Sequence, residues 1–156
     1  MNRSLLRNQG DWSALSNFAS RIDFELKRAE RYRIFVSLVV FNLGPILESI
    51  SGNGTDKDEL REKFVAALGG VMRGSIREID AVSNSGRPRI GLLFPETPRQ
   101  GAEAAVRRLS EMVNNFCNDY FNNPAEYLIP VEISSFPDAA GARPIASYLE
   151  EFAETN

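Results

Sequence analysis

The sequence predicts an α+β domain, with helices packed on a mostly antiparallel sheet. Three observations predict it. The run Ile34–Phe41 is almost continuously apolar and rich in β-branched residues, which suits a central strand covered on both faces. Residues on either side of that run repeat their apolar positions at three- and four-residue steps, the helical period. Between them, Ile79–Ser83 and Ile90–Phe94 flank Asn84–Pro88, whose Asn, Ser, Gly and Pro interrupt two apolar runs as a hairpin turn does.

In chain order, residues 1–12 read as a lead or linker to one domain spanning 1–156. Leu15, Phe18, Ile22, Leu26 and Ala29 make a first amphipathic helix over Ser13–Tyr32, followed by the central strand. Gly44-Pro45 ends that strand, and Ser51–Asp58 is a polar loop whose Thr55 and Asp58 mark a helix start. That helix is expected to bury Leu60, Phe64, Leu68 and Val71, with Gly69-Gly70 weakening it. After the hairpin, Thr97 as N-cap, Pro98 at the first helical position and Gln100 spell a capping box for a helix over Pro98–Asn115. Asn118–Glu126 reads as a loop. Tyr127–Phe136 alternates Val131 and Ile133 with Glu132 and Ser134, a strand with one wet face. Ile145, Leu149 and Phe152 mark a short last helix. The order is α-β-α-β-β-α-β-α.

Composition narrows the chemistry. With 43% hydrophobic and 25% charged residues in 156, the chain can bury a full core. A net charge of −3 and an isoelectric point near 5.1 argue against nucleic-acid binding. No apolar run reaches the ~18 residues of a membrane span, and Met1–Gly10 shows no apolar secretory core. Cys117 is the only cysteine and histidine is absent, which removes disulfides, cysteine metal clusters and histidine-based catalysis. Cys117 itself reads as a small buried residue on a helix. Of the 18 basic residues 15 are arginine, a bias that a GC-rich genome explains more readily than a nucleotide-binding role and that alone decides nothing.

From Arg77 to Thr97 the chain resembles a GGDEF (diguanylate cyclase) domain. Such domains carry RxxD, five residues, the GGDEF hairpin, a short apolar strand, P-E/D-T and a helix. Here Arg77-Glu78-Ile79-Asp80 is followed by AVSNS, Gly86-Arg87-Pro88-Arg89-Ile90, GLLF and Pro95-Glu96-Thr97, in ungapped register. The resemblance covers roughly Phe18–Phe136 and implies a ferredoxin-like palm, as in nucleotidyl cyclases.

It also implies that the catalytic half is degenerate. Active members hold divalent metal against GTP with carboxylates. The D-x-D that ends their first strand aligns with Asn42 and Gly44, and their guanine-reading Asn with Ile50. In the signature itself, Pro88 and Arg89 replace the two acidic residues. No catalytic residue and no metal ligand is therefore expected, and no cofactor. Asp56, Asp58 and Glu59 cluster without matching any metal-loop spacing and read as a solvated helix start.

The resemblance leaves an inhibitory-type product site intact. Chance alone supplies about 0.7 RxxD matches in a chain this rich in arginine, so the register is what counts. In that register Arg77 and Asp80 are implied to bind cyclic di-GMP. Arg108, on the helix after P-E-T, and Arg28, within Leu26–Tyr32 and often lent by a neighbouring subunit, are implied to join them. Arg bonds guanine edges and phosphates bidentately, and Asp accepts from guanine N1–H and N2–H₂. The expectation is a non-enzymatic cyclic di-GMP receptor in bacterial cytoplasmic signalling. An intercalated ligand dimer, a homodimer and an unidentified downstream protein are its expected partners. The alternatives are a nucleotide-free dimerisation or docking scaffold, and an enzyme or GTP sensor using Gly86, Arg87 and Arg89.

Overall fold

A computed structural model describes residues 17–50, 54–83, 87–137 and 142–153. The lead over residues 1–12, the expected start of the first helix at Ser13 and the centre of the hairpin turn, with Gly86, lie outside these residues.

Helix α1 (Phe18–Tyr32) starts at Asn17, whose side chain accepts from the Ser20 N–H at 2.8 Å, a typical N-cap bond. It stops at Arg33, which takes a left-handed conformation with φ 56° and bonds back to Ala29 O. Strand β1 (Val36–Asn42) is buried along nearly its whole length, as its apolar run predicts. Gly44-Pro45 does end the strand, and the chain then makes a one-turn helix, α2 (Gly44–Leu47).

Helix α3 (Gly54–Arg73) runs unbroken through Gly69-Gly70. A Cβ at either glycine would meet nothing, so each gives up helix propensity without opening a packing defect. The buried stripe is Phe64, Val65, Leu68 and Met72, whereas Leu60 is exposed and Val71 only half-buried. The expected stripe is thus rotated slightly about the helix axis.

Strand β2 is only Ala81–Val82, shorter than Ile79–Ser83, because Arg77–Asp80 folds into a turn of its own. Strand β3 (Arg89–Pro95) leads to helix α4 (Arg99–Phe121). The expected capping box does not form. Pro98 is the N-cap, and the Thr97 hydroxyl bonds to Pro95 O and Arg77 instead. Helix α4 also outruns Asn115, because Phe116, Tyr120 and Phe121 stack around Phe64 and draw the last turns onto the core.

Strand β4 (Val131–Phe136) starts later than Tyr127, and its supposed wet face is partly covered. Ser134 is buried and donates to Arg143 O at 2.5 Å, and Glu132 is taken up by Arg89, Arg143 and Tyr148. Tyr148 comes from a 3₁₀ turn (Ile145–Tyr148), which runs into helix α5 (Leu149–Ala153).

The sheet has the order β2-β3-β1-β4, with every neighbouring pair antiparallel. The β-α-β-β-α-β thread is the split βαβ arrangement of a ferredoxin-like palm. Helices α3 and α4 pack on one face, over Val39, Phe41, Leu92 and Phe94. Helix α1 and the C-terminal segment pack on the other, over Val36, Leu38, Val40 and Leu93. Gly91 lets them approach: a Cβ there would lie 2.7 Å from Phe18 and 2.8 Å from Phe152. Cys117 is fully buried on the core-facing side of α4, and burial pushes its thiol up to about 11.

Candidate ligand site and the altered catalytic positions

The RxxD segment closes on itself. Asp80 N–H donates to Arg77 O at 3.0 Å, while the Asp80 carboxylate accepts from Arg77 N–H at 2.8 Å. The same carboxylate takes Arg77 Nε at 3.2 Å and Nη2 at 2.9 Å, a two-oxygen fork. The Asp80 side chain is 2% exposed and that of Arg77 53%. Asp80 therefore fixes the arm of an arginine whose outer surface stays open to solvent.

From there Arg77 reaches the turn that joins β3 to α4. Its Nη2 donates to Pro95 O at 3.0 Å and to Thr97 Oγ1 at 2.7 Å. Arg28 reaches the same turn from α1. Its Nη2 meets Glu96 Oε2 at 2.8 Å and its Nε meets Glu25 Oε1 at 3.0 Å. The hydrogen bonds it donates to Glu96 and then to Glu25 hold the Arg28 guanidinium even more firmly charged than usual. Arg108, on exposed α4, donates to Ser75 O at 2.7 Å, just before Arg77 in the chain. So Arg77, Asp80 and Arg28 are gathered around Pro95–Thr97, and Arg108 braces the segment that leads into Arg77.

Sequence reading missed the residues that answer these arginines: Glu25, Glu96, Thr97 and the Ser75 and Pro95 carbonyls. Glu25 lies one helical step from Arg28, a legible signal. Glu96 carries none, because its approach to Arg28 depends on a left-handed backbone with φ 54°.

The positions that the resemblance aligns with catalytic carboxylates are also occupied. Asn42 and Arg89 are register partners across β1 and β3. The Asn42 amide oxygen accepts from Gly44 N–H at 3.0 Å, and the Pro88 carbonyl accepts from Leu43 N–H at 2.8 Å. Arg89 grips Glu151 through Nε at 2.6 Å and Nη2 at 3.2 Å, and Glu132 through Nη1 at 2.9 Å. Glu132 also accepts from Tyr148 OH at 2.6 Å, while Arg143 lies 3.6 Å over the Tyr148 ring. These donors do not fit a divalent cation: one neutral oxygen is in use, proline offers no side-chain ligand, and Arg89 is itself a cation. Among the described residues no three His, Cys, Asp or Glu side chains gather to hold a metal ion, and no helix is long and apolar enough to cross a membrane.

No family model matches the sequence, and no curated protein does. Solved structures, in contrast, match the fold. One is the active GGEEF domain of a diguanylate cyclase from Vibrio cholerae, at 16% identity and TM-score 0.57, covering 90% of this chain and 87% of that one. Another is the diguanylate cyclase SiaD of Pseudomonas aeruginosa, solved with its activator SiaC, at 16% identity and TM-score 0.59. That match covers 88% of this chain but 50% of SiaD. A third is the isolated GGDEF domain of TpbB, or YfiN, from the same species, at 15% identity and TM-score 0.56, covering 87% of this chain and 77% of that one. The chain has a GGDEF-like fold.

Proposed function

We propose that this domain turns over no GTP and serves as a cyclic di-GMP receptor, a regulatory module of bacterial cytoplasmic signalling. Its site would comprise Arg77, Asp80, Arg108 and Arg28. The observation that carries this reading is the gathering of Arg77, Asp80 and Arg28 around Pro95–Thr97, at the end of β3 opposite Arg89. Guanidinium groups suit both parts of the ligand, phosphate and the guanine edge. For Asp80 to accept from guanine, Arg77 must swing outward onto the ligand, and its exposed outer surface permits that. An intercalated ligand dimer would be large enough to engage a second copy of the chain, whose own Arg28 would then join.

Two measurements test the proposal. Incubation with GTP and Mg²⁺ should yield no cyclic dinucleotide; detectable product would overturn the inactive assignment. Equilibrium binding of cyclic di-GMP should weaken at least about tenfold in Arg108→Ala and in Arg28→Ala, the loss of one charge-assisted contact. Unchanged affinity in both would refute the site.

One observation favours a second reading, a nucleotide-free docking scaffold: each of the four residues already has a partner within the chain. Such a scaffold would show no thermal shift with any nucleotide, whereas a ligand at 100 times its Kd adds about 2.7 kcal/mol.

A further inference from the structure

The turn Pro95–Thr97 offers the two arginines the same chemistry that a nucleotide would. Its two outer residues supply a carbonyl and a hydroxyl to Arg77, and its central residue, Glu96, supplies a carboxylate to Arg28. Glu96 reaches Arg28 from a left-handed conformation, φ 54°, that a glutamate adopts only when its surroundings hold it there. The Glu96 side chain is more than half exposed. What it meets is the guanidinium.

We propose that Glu96 is an internal competitor for the ligand: its carboxylate occupies the Arg28 guanidinium where a phosphate of cyclic di-GMP would bind, and must leave when the ligand arrives. The proposal rests on the receptor reading above and adds a residue that sets its affinity. A carboxylate and a phosphate oxygen compete for the same fork of N–H donors, and Arg28 already has Nε committed to Glu25. Only the Nη2 side is contested.

The test is titration of cyclic di-GMP into wild type, Glu96→Gln, Glu30→Gln, Arg28→Ala and the Arg28→Ala/Glu96→Gln pair. Glu96→Gln keeps the shape and removes the charge. It should tighten binding about threefold at low salt, the scale of one exposed ion pair. Glu30→Gln removes a carboxylate from the same helix as Arg28 and controls for net charge. In the Arg28→Ala background, Glu96→Gln should change nothing. Equal tightening by Glu30→Gln, or an effect of Glu96→Gln that survives the loss of Arg28, would overturn the competitor role while leaving the receptor intact. Binding by neither wild type nor Glu96→Gln would overturn the receptor reading and the competitor with it.

Discussion

Asn42 and Arg89 face each other across the β1–β3 pair, at the end of the sheet where the GGDEF resemblance puts metal-binding carboxylates. Arg89 instead binds Glu132 and Glu151, so the charge reversal ties β3 to β4 and to α5. Where the resemblance aligns an acidic residue of the signature, Arg89 clamps the C-terminal segment.

The clamp is measurable. Its ion pairs are partly buried and the Arg89–Glu151 contact uses two nitrogens, so its coupling should exceed that of an exposed pair. Arg89→Ala and Glu151→Ala, with their double variant, should give a coupling energy of about 1–2 kcal/mol in urea unfolding. A coupling near zero would reduce the clamp to surface decoration.

Gly91→Ala probes the packing beneath it. The new methyl would sit within 3 Å of the Phe18 and Phe152 rings, which bring α1 and α5 onto the sheet. Overpacking of this kind costs about 1–3 kcal/mol, and denaturant midpoints should fall accordingly. Arg33→Gly should act in the opposite direction. Arg33 caps α1 at φ 56°, a conformation glycine adopts without strain, so the variant should gain about 1 kcal/mol.

The clamp also sets two pH limits. The Arg89 guanidinium, and then the Tyr148 hydroxyl, hold the Glu132 carboxyl below its ordinary value. Folding thus favours its charged form. That contribution is present above the unfolded value of about 4.3 and is lost as pH falls through the lower native value. Tyr148 is pushed up to about 12, first by burial and then by Glu132. Its contribution is complete below the unfolded value of about 10 and is lost as pH rises toward 12. Stability curves against pH should show both declines. Glu132→Gln should flatten the acid one and Tyr148→Phe the alkaline one; unchanged curves would contradict the shifts.

The sheet and its order of elements were legible because burial on both faces leaves a plain mark, as in Ile34–Phe41. Boundaries were less legible where a tertiary contact overrode a local signal. Thr97 has every local feature of an N-cap, yet its hydroxyl serves Arg77, distant in sequence. Asn118–Glu126 looks like a loop until Tyr120 and Phe121 find Phe64. Glu132 and Ser134 look solvated until Arg143 and Tyr148 bond to them. In the candidate site, Arg77 and Asp80 could be read from register. Glu96 could not, since only a backbone with positive φ brings it to Arg28.

The central claim is that cyclic di-GMP binds at Arg77. Calorimetric titration of that nucleotide into wild type and Arg77→Ala tests it most directly. Micromolar or tighter binding to wild type, near two nucleotides per site and lost in the variant, is the predicted result. No binding to wild type, or equal binding to both proteins, would contradict it.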